Sequence, residues 1–476
     1  MFRAIKENRK ATLLIPVELQ VRELDPKLLL ACVAAKRGFS SVIGPRREMH
    51  FHLHSFPRSI YLSKSLSGGS NNVFRELHRL THQIVAWDEE ALVHLPPESY
   101  FQRRLSPRAL QYVSKLFAWG KDNLELWRQY PEMPSEVSIH ITGNPRGDLL
   151  RPEMRSLYDH DAKKIRQTYG NFILVNTNFN QVNAFYPDGN LLKFSPVPDE
   201  VPDLTRRAIG MGMSREYAAG LSKHKQDILN DFKRLIPALD HTLTDHTIVI
   251  RPHPAENPEI YNEIAKRCGR VQVTNEGNVV PWLIAAKALV HNGCTTGVEA
   301  FALGLPAISY RASINEYYDD AFHRLPNLVS HECFNLEQLR ETLAKILGGS
   351  LGTANSDERQ AIMEHHLAAM KGPLACERMV DIFEEMVEQQ FDSPPPTLKQ
   401  KWKSWVWAKK RQIRKRSRSN IPDMSHNRAE FLRHRYPGIS LNELRTKLSM
   451  FQHVLGDRTN LKVKEIYHQF YRISAG

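Results

Sequence analysis

Four short stretches carry residue types that can do chemistry on a phosphate ester. In ALVHNGCTTGVEAFALGLPAISY (288–310) a buried strand ends at His291 and Asn292. A small-residue turn, Gly293-Cys294-Thr295-Thr296-Gly297, then opens a helix that stops at Gly304. Free backbone N–H groups and the helix dipole make such a turn an anion site, and two threonine hydroxyls add donors. Glu299, one turn in, is a candidate for holding a ribose hydroxyl; an acid favoured by a first turn is the plainer account of it. In TIVIRPHPAENPEIYNEIA (247–265) a strand runs into Arg251-Pro252-His253-Pro254, where two prolines stiffen the loop. A cation and an imidazole held at the end of a strand suit a phosphate leaving group.

Two stretches nearer the N-terminus complement them. HQIVAWDEEALVH (82–94) sets Asp88, Glu89 and Glu90 directly after an apolar strand. A carboxylate there, opposite a phosphate site, can act as general base; acids that merely start a helix are the alternative. ITGNPRGDLL (141–150) ends a strand in a turn, and turn chemistry explains Gly143, Asn144 and Pro145. Asn144, Arg146 and Asp148 are nonetheless candidates for closing a cleft or touching a donor, as is Asn176 at the end of FILVNTN (172–178). No P-loop, HExxH or GxSxG motif occurs, nothing visible requires a divalent metal, and no cofactor is expected.

Positioning these residues takes strands whose carboxyl ends converge. Strand patterns stand at 12–16, 40–44, near 60, 83–87, 115–120 and 137–143, with a helix at 26–36 closed by Gly38. A second set stands at 172–178, 247–251, 271–274, 288–292 and 307–310, with a long polar helical stretch over 202–235. That rhythm predicts two doubly wound, Rossmann-like α/β domains, 1–150 and 151–390, facing one ligand cleft. After about 335 the strands are expected to stop. Helices at 336–347 and 356–390 lead to a break at SPPP (393–396), a basic segment within 391–420, and a tail of two or three helices over 421–476.

With 41% hydrophobic and 25% charged residues in 476, the chain is excluded from the disordered, collagenous and coiled-coil classes. No apolar run is long enough to cross a membrane, and the N-terminal one is too short for a signal peptide, so a cytoplasmic protein is expected. Five scattered cysteines argue against disulfides and structural zinc. Of the net +13, ten charges lie between Thr397 and Ile421, leaving +3 for everything else. A nucleic-acid-binding face would spread its basic residues, so no nucleic-acid partner is expected. Segment 398–420 also holds Trp402, Trp405 and Trp407, a composition that favours peripheral attachment to an anionic inner-membrane surface.

Together, IPVELQVRELDPKLLLACVAAKRGFSSVIG, WDEE, TGNPRGD, IRPHP and HNGCTTGVEAFALGLPAISY resemble bacterial surface-carbohydrate biosynthesis proteins of the GT-B type, over about 10–390. That family is similar in outline to the sialyl- and Kdo-transferases, which use CMP-activated acidic sugars. The resemblance implies Glu89 or Asp88 as base, His253 as the phosphate and leaving-group contact, and Thr295 with Thr296 as phosphate donors. Ala91 stands where those relatives have Gly, which leaves the choice among Asp88, Glu89 and Glu90 open. The implied reaction is a metal-independent, inverting transfer of Kdo or a related nonulosonic acid from a CMP donor to a glycan or lipid-linked glycan. A CDP-polyol phosphotransferase, a sugar-nucleotide epimerase and a non-catalytic assembly scaffold are the competing readings.

Overall fold

The computed structural model describes residues 11–194, 202–319, 324–390 and 394–476. Six strands of the first lobe are β1 (Thr12–Val17), β2 (Ser40–Pro45), β3 (Ser59–Ser63), β4 (Gln83–Ala86), β5 (Lys115–Ala118) and β6 (Ser138–Ile141). The second lobe holds β7 (Phe172–Asn176), β8 (Thr247–Arg251), β9 (Val271–Val273), β10 (Ala288–His291), β11 (Ala307–Tyr310) and β12 (His331–Cys333). Each set forms a parallel sheet, ordered β2-β1-β3-β4-β5-β6 and β12-β11-β10-β7-β8-β9. The central strands of each sheet, among them β3, β7 and β10, are buried on both faces, as strands covered by helices on each side must be. The expected pair of doubly wound, Rossmann-like lobes is the fold observed, an α/β architecture of the GT-B type.

In each sheet the chain reverses its direction of growth once, between β1 and β3 and between β7 and β10. Loops diverge at such switch points and leave a crevice at the carboxyl ends. The loops after β1, β4 and β6 therefore meet those after β7, β8 and β10.

Three local expectations need correction. The helix expected at 26–36 begins six residues earlier, at Gln20, because the Glu23 carboxylate accepts the N–H groups of Glu18 and Leu19 at its start. The stretch 202–235 is two helices, Arg206–Gly210 and Arg215–Thr242, the second capped by the Ser214 hydroxyl. The strands also do not stop near 335. Beyond the helices Ala429–Arg435 and Leu441–Val454, the tail ends in a hairpin, β13 (Leu461–Tyr467) and β14 (Phe470–Ala475). β14 lies antiparallel beside β2, extending the first sheet, with Tyr471 and Ile473 buried. Its turn at His468-Gln469 puts Gln469 at φ +63° without the Asn-Gly signature that marks a hairpin in sequence.

The chain also returns to the first lobe after the second. Phe383, on the helix Ala375–Gln390, packs its ring against Phe39 and Phe117 at 6.3 and 5.8 Å. Farther on, residues 425–438 bridge both lobes: Ser425 donates to Asp188, His434 bonds the Pro254 carbonyl at 2.6 Å, and Arg435 pairs with Glu18 at 2.8 Å. Of the expected SPPP break, residue 393 lies outside the described residues.

Candidate functional site

The cleft between the lobes holds two adjoining chambers. The inner one is lined by Arg22, Arg146, Asn176, His253, Thr295 and Glu299 among others. The outer one, about 650 Å³, runs from Arg22 and His253 past Arg103 and Arg207 to Ser425 and His434. Arg22, Glu90, Asn178 and His253 line both and so form their shared wall.

On the second lobe, β10 delivers His291 at 0% exposure. Its Nδ1 accepts the Gly293 N–H at 3.0 Å and its Nε2 meets the Ser330 hydroxyl at 2.9 Å, while Gly293 takes φ +81°. Gly297 is required by packing. A Cβ there would sit 2.6 Å from the His291 ring, so the glycine exists to let the helix Thr296–Leu303 close over the imidazole. Thr295 and Thr296 both face the inner chamber. The Thr296 hydroxyl lies 2.5 Å from the Cys294 sulfur, whereas among the described residues the Thr295 hydroxyl has no partner. Asn292 and Gly297 stand behind this wall and do not line it.

After β8, the His253 N–H is fixed by the Thr177 carbonyl and the Glu256 carboxylate. His253 Nδ1 accepts the Ala255 N–H at 3.1 Å, which leaves the proton of a neutral ring on Nε2. Burial, and then Arg22 nearby, lower its pKa to about 4, so at neutral pH it is an uncharged donor. Arg251 lines the inner chamber, but its guanidinium is already engaged. It donates to the carbonyls of Glu276 and Gly277 at 2.7 and 3.0 Å and stacks on Trp282 at 4.7 Å. These bonds brace the loop, while its charge, in no ion pair among the described residues, faces the inner chamber.

On the first lobe the three acids separate. Asp88 is fully buried, bound by Arg104 and by the Tyr100 hydroxyl at 2.8 Å, and lines neither chamber. Glu89 is buried too, accepting the Trp87 indole N–H at 2.7 Å with Arg146 at 3.6 Å. Glu90 alone of the three lies on the shared wall, its side chain 44% exposed, paired with Arg22 at 3.1 Å. Burial would raise its pKa, but Arg22 and then Arg104 hold it down to about 2. It is therefore ionised throughout the physiological range.

The TGNPRGD loop divides similarly. Arg146 reaches across the cleft to Glu299 at 2.5 Å; the second Glu299 oxygen and the Asn176 amide oxygen are buried without partners and edge the inner chamber. A hydroxyl-bearing ligand fills such vacant acceptors. Asn144 and Asp148 are not cleft groups: Asn144 caps the turn holding Arg146, and Asp148 accepts the N–H groups of Ala375 and Cys376 at 2.7 and 2.9 Å. The carboxylate thus pins the returning helix, and burial pushes its pKa up to about 6. Sequence reasoning missed Arg22, which crosses to both lobes' chemistry, and Lys64 and Glu23 behind it. The charged run after the first strand, VELQVRE, was the signal.

No protein-family model matches the chain, and no curated protein matches it. Solved structures of similar fold exist. They include the UDP-GlcNAc 2-epimerase of Methanocaldococcus jannaschii with UDP-GlcNAc and UDP, at 12% identity and TM-score 0.47, over 79% of this chain and 99% of that one. S. aureus MnaA with UDP is 13% identical at TM-score 0.48, over 81% and 100%. The wall teichoic acid polymerase TagF, soaked with CDPG, is 12% identical at TM-score 0.48, over 82% and 92%. At such low identity these likenesses concern fold alone.

Proposed function

We propose that the chain transfers an acidic sugar, Kdo or a related nonulosonic acid, from a CMP donor to a glycan or lipid-linked glycan acceptor. The observation carrying this reading is the shared wall, where Glu90 of one lobe and His253 of the other stand between two chambers. CMP takes the inner chamber. Its phosphate lies on the 293–296 turn, receives the His253 Nε2 proton in a hydrogen bond, and faces Arg22. As the glycosidic bond to phosphate breaks, these donors hold the developing charge on the leaving oxygen, and no metal is called on. The acceptor hydroxyl enters from the outer chamber, attacks the anomeric carbon from the far face, and gives its proton to Glu90. The configuration inverts. A carboxylate with a pKa of about 2 is a weak base, but Arg22 turning to the donor phosphate removes the cation that depresses it most. A thermal-shift comparison of CMP, CDP, UDP and GDP tests the donor: the largest shift is expected with CMP, and a uridine preference points to epimerase chemistry instead. Product analysis with CMP-Kdo and with CDP-glycerol then separates sugar transfer from phosphopolyol transfer, and activity is expected to persist in EDTA.

The same proposal includes attachment to an anionic inner-membrane surface through 398–420. The helix Leu398–Ser417 turns Ser404 and Ala408 to the lobe, and Trp407 packs on it. Leu398, Trp402, Trp405 and Ile413, 86, 63, 43 and 68% exposed, share the opposite side among the cations. Interfacial tryptophans and lysines of this kind suit headgroups, each cation adding about 1 kcal/mol near an anionic surface. Among the described residues no helix is long and apolar enough to cross a membrane. Co-sedimentation with anionic liposomes should fall with salt and be lost when the ten cations become Gln; equal pelleting of that variant refutes the assignment.

A further inference from the structure

Beyond Glu90 and His253, the wall of the outer chamber includes two guanidinium groups in no ion pair among the described residues. Its acids are spent: Glu23 on Lys27 and Lys64, Glu90 on Arg22, and Asp188 on the hydroxyl and N–H of Ser425. Lys64, Arg104 and Arg435 answer to Glu18, Glu23 and Asp88. Among the described residues, the partners of these two guanidinium groups, one from each lobe, are carbonyl-type oxygens. Arg103, on the helix Pro97–Arg104, donates through Nε to the Met211 carbonyl at 3.1 Å. Arg207, on the helix Arg206–Gly210, donates to the carbonyls of Asn180 and Gly189 and to the Asn180 amide oxygen at 2.7 Å. Carbonyl dipoles satisfy hydrogen bonds but leave the formal charge, which an anionic ligand in the chamber can complete. The Gln181 amide oxygen, buried and without a partner, edges the same space.

We propose that the outer chamber binds an acceptor carrying a carboxylate or phosphate group, its charge set between Arg103 and Arg207 and its reacting hydroxyl directed to Glu90. The inference rests on the transferase reading and adds the chemical class of acceptor. The two arginines come from opposite lobes, so an anion between them also draws the lobes together over the donor. Planar guanidinium forks suit either oxyanion. At about 650 Å³ the space accommodates a sugar unit with its charged group.

The test uses the full chain saturated with CMP and three probes, methyl glucoside, methyl glucuronoside and glucose 1-phosphate, with binding followed by calorimetry. The charged sugars are expected to bind at least tenfold more tightly than the neutral one, and the stronger of them identifies carboxylate or phosphate as the source of charge. Arg103→Gln with Arg207→Gln should abolish that preference while CMP affinity stays unchanged. Arg103→Gln alone, which gives up a single hydrogen bond to the Met211 carbonyl, should remove part of it and covers the case in which the double variant fails to fold. Equal binding of all three probes, or an unaltered preference in a folded Arg103→Gln variant, overturns the inference. Absence of CMP binding in the unmodified chain instead overturns the transferase reading on which it stands.

Discussion

On the second lobe, the groups that line the inner chamber are neutral or already bonded: His253 is uncharged, Arg251 is bound to two carbonyls, Glu299 is paired with Arg146, and the Thr295 hydroxyl is open among the described residues. On the first lobe the cleft wall is dense in formal charge, with Glu18, Glu23, Lys27, Lys64, Arg22 and Glu90 packed into one network. The contrast assigns different work to the two walls. Fixed dipoles that need no reorganisation suit holding a phosphate through a reaction. A charged network, by contrast, can exchange partners, and exchange is what lets an arginine leave a carboxylate for a substrate.

The largest effect should come from breaking the charged wall at its exposed member. Glu90→Gln is expected to lower the transfer rate by about 10²–10⁴-fold, as loss of a general base does, with CMP affinity retained. Asp88→Asn belongs to the buried side of the same wall. It should instead lower stability by about 3 kcal/mol in a denaturant titration, because it strips the Arg104 charge of its partner. If Asp88→Asn abolishes turnover at unchanged stability and Glu90→Gln does not, the roles are exchanged.

Next is the neutral wall. Gly297→Ala drives a methyl group to 2.6 Å from an imidazole held on both sides by Ser330 and Gly293, so the ring cannot give way. Overpacking of this kind costs about 1–3 kcal/mol, and here it should also displace the turn and weaken CMP binding. A variant with unchanged stability and affinity would show that the turn is softer than its contacts indicate.

How much of this was legible in sequence follows from the same contrast. The strand ends at His291, Arg251 and Ala86 were readable because apolar runs bounded by Gly, Pro and acids define them locally. Long-range partners were not. Nothing adjacent to Asp148 reveals that its carboxylate caps a helix starting at Ala375, more than two hundred residues on. Nor does the sequence around Glu90 distinguish it from Asp88; that choice depends on Tyr100, Arg104 and Arg22 arriving from other elements. The terminal hairpin is hard to read in sequence because its turn lacks the usual glycine, Gln469 taking the positive φ instead.

Acid should reach the neutral wall first. His253 and His291, with His82 of the first lobe, have pKa values lowered, chiefly by burial, to about 4, 3 and 4. Each lies below the unfolded value near 6.5, so the unfolded chain binds more protons and the stabilising contribution, complete above pH 6.5, is lost progressively down to about pH 4. Asp148, raised to about 6, runs oppositely: its contribution is lost as pH rises through that value. These three imidazoles together outweigh Asp148 and favour a decline on acidification. Urea titrations at pH 7.5 and 5.5 should show it, with His253→Gln removing about one proton from the slope; a flat profile would place those rings in contact with water.

The smallest effect separates two adjacent hydroxyls. Thr295 and Thr296 both face the inner chamber, and the resemblance to CMP-sugar transferases assigns both to the phosphate. Their surroundings differ. The Thr296 hydroxyl is engaged with the Cys294 sulfur at 2.5 Å, and the Thr296 N–H points to the same atom at 3.3 Å, so this side chain is bound into the turn. Among the described residues Thr295 has no competing partner, so its hydroxyl is the one available to an oxyanion. A hydrogen bond to a charged group is worth about 1.5–3 kcal/mol, so Thr295→Ala should weaken CMP about tenfold or more by calorimetry. Thr296→Ala gives up a weak sulfur contact and should shift CMP affinity by less than about threefold, within the few tenths of a kcal/mol typical of second-order contacts. Equal losses in the two variants would mean that the ligand draws Thr296 away from Cys294, and that the neutral wall, like the charged one, exchanges partners when the cleft is filled.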